Sequence, residues 1–281
     1  MTSRVRTTVQ PLTTLRRWFT DNGGWIHPAL ALGPSPAYGA RGVISLEDIP
    51  VTQSALGQQV VILLPEALQI SAESAKECLS KHLSVSALQA LQDQEWLVPT
   101  MLASERRNHT SFWRPYLDTL PARPSTGWFM KPQESADTLK RLGSLGQGCK
   151  GYLKTERDRH KKSAQKFALQ VGKMLRLSTE DLLWGLAMMH SRSYMSYGSA
   201  KMYPMIDLCN HEQGAAGVEG VKLPNDERIV RGCVKRHGQP VPLLVGQELF
   251  MDYMSKASGQ PPCSCFSSYG FIPQEYMDDA G

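Results

Sequence analysis

At 281 residues, 41% of them apolar, the chain is long enough to bury one large core or two smaller ones. No uninterrupted apolar run approaches the roughly 18 residues that a membrane span needs, so a soluble chain is expected. The net charge of +5, from 31 Lys and Arg against 26 Asp and Glu, gives no argument for nucleic-acid binding and suits an acidic protein partner equally well.

The first residues hold Arg4, Arg6, Arg16 and Arg17, several Thr and no acid, a composition shared with organellar transit peptides. Leu12, Leu15, Trp18 and Phe19 nevertheless follow helical spacing, which predicts an opening domain helix that stops at Asn22-Gly23-Gly24. A Gly/Pro-rich turn at 33–42 leads into short strands at 42–45 and 60–64, apolar bursts bounded by Gly and Pro. From 71 to 103 the pattern turns helical, with Ser71 and Ser74 as candidate N-caps. Helices continue at 137–142, 152–177 and 181–194, the last capped by Ser178 or Thr179 with Asp181 following. Strands return at 218–223, 227–233, 242–244 and 248–253. The charge run at 150–173, with Lys150, Lys154, Arg157, Arg159, Lys161, Lys162 and Lys166 against Glu156 and Asp158, reads as a solvated helix face or as a docking surface for an acidic segment.

Cys78, Cys149, Cys209, Cys233, Cys263 and Cys265 are scattered apart from one Cys-Ser-Cys, and no secretory signal precedes them. They read as reduced thiols of an intracellular protein, cytoplasmic or nuclear. A closed zinc site needs four ligands, and no second Cys or His pair lies near Cys263 and Cys265, so no metal is expected.

Residues 202–212, MYPMIDLCNHE, place an Asn-His pair behind an apolar-Asp segment. This resembles the Asn-His signature of SET-domain methyltransferases, and other elements of that family occur in order. Residues 184–194, WGLAMMHSRSY, resemble the Trp-to-SRSY helix of the subgroup typified by the Rubisco large-subunit methyltransferase and the actin-histidine methyltransferase. Residues 111–121, SFWRPYLDTLP, resemble a segment that marks the same subgroup. Residues 246–253, GQELFMDY, are similar to the strand ending in the family's catalytic tyrosine, 268–271, SYGF, to its closing segment, and 38–49, YGARGVISLEDI, to its N-terminal glycine turn.

The resemblance implies an α+β SET-domain fold over 12–273, with an N-terminal part at 12–70, a helical insertion at 71–183 and a C-terminal part at 184–273. In that fold the Asn-His segment is threaded under a later strand as a pseudoknot. The implied activity is transfer of a methyl group from S-adenosylmethionine (SAM) to a protein lysine. Asn210 and His211 would anchor SAM, with Gly39, Arg41 and Gly42 of the glycine turn. Arg192 would meet its carboxylate, as suits a planar guanidinium fork. Tyr253 and Tyr269 would be the catalytic tyrosines lining the lysine channel, and Asp207 and Tyr253 would shape the substrate pocket. Two departures stand out. Ala40 occupies a position where the subgroup carries glycine, so its Cβ narrows the turn. The chain stops ten residues after Phe271, where members of the subgroup continue into a substrate-docking domain, so either that domain is absent or the sequence is a truncated one. Histidine N-methylation, or an inactive module serving as a protein-binding scaffold, are the alternatives.

Overall fold

The computed structural model describes residues 6–35, 41–51, 60–141, 143–196, 199–212, 217–223, 226–236, 239–251, 253 and 262–272. Two compact units share the chain, Met1–Ile70 with Met202–Ser255, and Ser71–Lys201 with Lys256–Gly281. Each is therefore built from two separated stretches of sequence.

The first unit is a sheet with the opening helix against it. The helix Arg6–Asp21 turns Leu15, Trp18 and Phe19 inward, all buried. Burying side chains of this size stabilises by roughly 1.5–3 kcal/mol each. Strand Leu30–Pro34 pairs with Arg41–Ser45 in an antiparallel register from Leu30 opposite Ser45 to Pro34 opposite Arg41. Arg41–Ser45 then pairs with Glu248–Met251, Ile44 facing Glu248. On its other edge Glu248–Met251 runs parallel to Asn210–His211, with Phe250 opposite Asn210 and Met251 opposite His211, and meets Gly217 of the strand Gly217–Leu223. Gly217–Leu223 and Asp226–Arg236 form an antiparallel pair, followed by Val60–Pro65 and Trp25–Ile26. The last strand in sequence thus lies between an early strand and the Asn-His strand, which is the interlocked order of the expected pseudoknot.

Two expected strands differ. Of 242–244, Leu243 alone bridges to Ile49, through Ile49 N–H to the Leu243 carbonyl (2.8 Å) and the reverse bond (3.0 Å). Pro240 and Pro242 lack the N–H groups that would extend it. The final strand stops at Met251, leaving Tyr253 beyond its end.

The second unit is helical. Ser71 and Ser74 form a capping box on Ala72–Ser80, and Ser178 with Asp181 does the same for Thr179–Arg192. Each box satisfies two otherwise orphaned N–H groups, which is why short polar motifs locate these starts. Gly185 of Thr179–Arg192 lies so close to Leu97–Arg107 that a Cβ there would fall 2.1 Å from the Pro99 carbonyl oxygen. The long helix Gly143–Phe167 continues as a π-helical stretch, Ala168–Gly172, and a last turn, Lys173–Leu175, ending at Arg176 in the left-handed region (φ 55°). The helix expected to reach 194 ends at Arg192, and Ser193–Ser196 pairs as a strand with Ser199–Met202.

One expectation about the cysteines is overturned. Cys149 of Gly143–Phe167 and Cys263 of Pro262–Tyr269 form a disulfide, their Cα atoms 5.0 Å apart. The packing of two helices joins residues 114 apart in sequence, a proximity that spacing along the chain does not encode. Cys78, Cys209, Cys233 and Cys265 are not disulfide-bonded.

Beneath the long helix, Trp128, His160 and His190 form a ring cluster, with centroids 4.5 Å (Trp128 to His160), 5.0 Å (His160 to His190) and 5.8 Å (Trp128 to His190) apart. Glu156 lies 3.3 Å from His160 Nε2 but gives it no hydrogen bond; the same oxygen is taken by Arg159 at 2.6 Å. Burial first, then the Arg159 charge, pushes His160 down to about 4. Burial, then His160, pushes His190 down to about 3. Among the described residues, no helix is long and apolar enough to cross a membrane.

Candidate active site

The segment leading to the Asn-His strand begins with backbone strain. Met205, fully buried, sits at φ 77° and ψ −46°, near the γ-turn region that non-glycine residues rarely adopt. A short 3-10 turn, Ile206–Leu208, follows, held by Asp207 N–H to the Tyr203 carbonyl (3.0 Å) and Cys209 N–H to the Ile206 carbonyl (3.1 Å). This turn buries Asp207 and delivers Asn210 and His211 to the edge of Glu248–Met251.

Asn210 Nδ2 donates to the Arg41 carbonyl (2.9 Å) and to Glu248 Oε1 (2.7 Å). Both neighbours are acceptors only in this pairing, so the amide orientation is fixed chemically: the NH2 faces them and Oδ1 faces away. Glu248 is 7% exposed, and its second oxygen accepts from Ser35 Oγ at 2.5 Å. Gly42 completes the arrangement. A Cβ there would lie 2.4 Å from Glu248 Oε1 and 3.3 Å from Asn210 Nδ2, so the strand can pass only without a side chain.

His211 and Tyr253 form the other half. His211 Nδ1 accepts from the Tyr253 N–H (3.1 Å), which requires the tautomer with its proton on Nε2, and lies 3.2 Å from the Met251 carbonyl. The two rings stand 5.4 Å apart at 37°. Tyr253 Oη donates to the Cys209 carbonyl at 2.6 Å, so the phenol is aimed back at the residue preceding Asn210. The Cys209 thiol is pushed well up, by burial first and then by the Asp207 and Glu248 carboxylates, and stays protonated at neutral pH.

The fold therefore gathers Arg41, Gly42, Asp207, Asn210, His211 and Tyr253 in the first unit. Gly39, and Ala40 beside it, lie outside the described residues. Arg192 and Tyr269 belong to the second unit, each the last residue of its helix, Thr179–Arg192 and Pro262–Tyr269. Burial, and next the nearby Cys265, raises the Tyr269 hydroxyl above its ordinary range. Gly270, which follows, has φ 80° and passes so near the Ser125 carbonyl that a Cβ would fall 1.8 Å from its oxygen. Sequence reasoning missed Ser35 and Glu248. The available signal for Glu248 was an acid inside an apolar strand, at a position that register turns inward. Among the described residues no group of three or more His, Cys, Asp or Glu could hold a metal ion.

No family model matches the chain. It is similar to a [fructose-bisphosphate aldolase]-lysine N-methyltransferase, chloroplastic, of Arabidopsis thaliana, 24% identical over 270 residues, which cover 91% of this chain and 51% of that protein. It is also similar to the crystal structure of the SET domain of LSMT bound to lysine and AdoHcy (TM-score 0.66, 18% identity, 94% of this chain and 57% of that one). A third likeness is to Rubisco LSMT bound to AdoMet (TM-score 0.67, 18% identity, 93% and 56%). The chain thus spans about half the length of the relatives it matches. Its fold is the one these structures share.

Proposed function

We propose that this chain, whose fold is that of a SET domain, is a SAM-dependent methyltransferase acting on protein lysine. The observation that carries the reading is the interlock of Asn210–His211 with Glu248–Met251, with Tyr253 Oη bonded to the carbonyl of Cys209, the residue before Asn210, and the Asn210 NH2 held by Glu248. The chloroplastic relative is named a lysine N-methyltransferase, and structures of this fold hold AdoMet, AdoHcy, lysine or monomethyllysine, which supports the same assignment.

The groups present fit a cofactor that is part nucleoside and part amino acid. Asn210 Oδ1 is an acceptor for an ammonium, and the His211 backbone can pair with an adenine edge; the missing Cβ at Gly42 lets Glu248 and Arg41 hold the Asn210 amide in place. By the family resemblance, Gly39 and Arg192 are proposed as further cofactor-binding residues, Arg192 because a guanidinium suits a carboxylate. When bound, SAM supplies a methyl group on a positively charged sulfonium.

The protein's own task is to present a neutral amine in line with that methyl. A free lysine has a pKa near 10.4 and is almost wholly protonated at pH 7. A desolvating channel lowers that value, because burial disfavours the charged form. The Cys209 carbonyl and the phenol oxygen of Tyr253 form a pair of acceptors that orients the amine hydrogens, with Asp207 shaping the pocket; by the family resemblance Tyr269 is proposed as the second catalytic tyrosine. Held geometry of this kind supplies much of the rate when proton transfer is not the obstacle. Within this reading, 71–183 is a helical insertion in a SET domain spanning 12–273.

Calorimetric titration with SAM tests the reading, followed by transfer of labelled methyl to extract proteins and identification of the modified side chain by mass spectrometry. Saturable binding that Asn210→Ala weakens, with label on lysine, is expected. Absence of binding by the unaltered chain would overturn the assignment, and label on histidine would redirect it.

A further inference from the structure

We propose that the outward face of the helix Gly143–Phe167 and of its continuation to Arg176 docks an acidic protein segment that carries an apolar residue. The proposal goes beyond the methyl-transfer reading and does not depend on it.

The helix is divided sharply. Cys149, Leu153, His160, Ala164 and Phe167 recur at spacings of four, seven, four and three and are buried. On the opposite side Lys154, Lys161, Lys162 and Lys166 are exposed, and Lys173 follows in the next turn. None of these lysines has a carboxylate partner among the described residues; Arg159 is occupied by Glu156, and Arg157 is spent on the Trp128 and Met130 carbonyls. Asp158 is the one exposed acid on this stretch of helix among the described residues.

A solvated face would need no more than this, but two further features call for a partner. Leu169 is 86% exposed and Met174 53%, in the midst of the lysines. Lys162, Lys166, Leu169 and Lys173 step by four, three and four, so the leucine rises from the cationic face rather than from an apolar edge. This is also where the helix widens into its π-helical stretch, Ala168–Gly172, turning Val171 inward while Leu169 points out. Such insertions are rare and concentrate at functional positions.

Ammonium groups at this spacing sum to a field that attracts carboxylates, and a protruding leucine adds affinity only against apolar surface. A nucleic-acid backbone would satisfy the lysines but leave Leu169 and Met174 unused, since recognition of bases draws on arginine and flat aromatic rings. An acidic peptide with an aliphatic or aromatic residue uses both.

The test uses the full chain and a fluorescein-labelled peptide of alternating Asp and Glu with one central Leu, followed by fluorescence anisotropy at low and high salt. Expected are saturable binding that weakens steeply with salt, loss of binding in K161E/K162E/K166E, and a roughly tenfold loss in Leu169→Ser at every salt concentration, because an apolar contact is not screened. Thermal melts of both variants should match the parent, all four positions being exposed. Failure of the parent to bind overturns the proposal, as does unchanged affinity in Leu169→Ser. Tighter binding of a single-stranded oligonucleotide of equal charge would overturn it in favour of a nucleic-acid surface.

Discussion

Gly42→Ala is expected to destabilise the first unit by about 3 kcal/mol. The new Cβ would stand 2.4 Å from Glu248 Oε1, and ordinary contact begins at 3.4 Å, so the carboxylate must retreat by 3.4 − 2.4 = 1.0 Å. It is buried and held from both sides, by Asn210 at 2.7 Å and Ser35 at 2.5 Å, so retreat breaks one of these bonds without water to replace it. A hydrogen bond to a charged group is worth roughly 1.5–3 kcal/mol, and the orphaned donor adds its own cost. The φ angle at Gly42 lies outside the positive range, so alanine itself is not strained there. The assay is a double-mutant cycle with Glu248→Ala, each protein unfolded in urea and compared by midpoint and slope. With the carboxylate gone the methyl has space, and Gly42→Ala should then cost less than about 1 kcal/mol. An equal cost in both backgrounds would refute the claim that Glu248 is what forbids a side chain at this position.

Under the proposed function, Tyr253→Phe, which removes the 2.6 Å bond to the Cys209 carbonyl, should slow methyl transfer on the order of 100-fold while SAM affinity, read by calorimetry, changes little. His160 and His190 have folded pKa values of about 4 and about 3 against 6.5 unfolded, so the unfolded chain takes protons first as pH falls. Stability is then full above pH 6.5 and declines below it, by roughly 2–4 kcal/mol at pH 5, levelling off near pH 3; melts across this range should flatten in a His160→Asn/His190→Asn variant. Reducing Cys149–Cys263 opens a loop of 114 residues, for which chain entropy sets an upper figure of about 5 kcal/mol, and melts with and without a phosphine reductant should separate accordingly.

What could be read from the sequence was local or carried by motif. Ser178 and Asp181 stand three apart, close enough for one to cap the other, and the start of their helix was legible. The Asn-His pair and the GQELFMDY strand could be matched to a known pattern and so to the interlock that joins them. Glu248 was harder: its partners Asn210 and Ser35 are 38 and 213 residues away, and nothing near it in sequence names them. The disulfide was misread for the same reason. The apolar run at 242–244 misled because Pro242, and Pro240 just before it, withhold the N–H groups a ladder needs. The π-helical stretch was invisible because its composition fits an ordinary helix.

The position of Glu248–Met251 between an early strand and the Asn-His strand has a consequence for biosynthesis. Arg41 must wait for a residue 169 positions later before its carbonyl finds Asn210, and Ser35 waits 213 positions for Glu248. At about 5–20 residues per second, that leaves the nascent hairpin without its neighbour for roughly 10–40 s. During that time its open edge is exposed to other chains, and a ribosome that stalls before Glu248 releases a product with no Asn210–Glu248 contact at all.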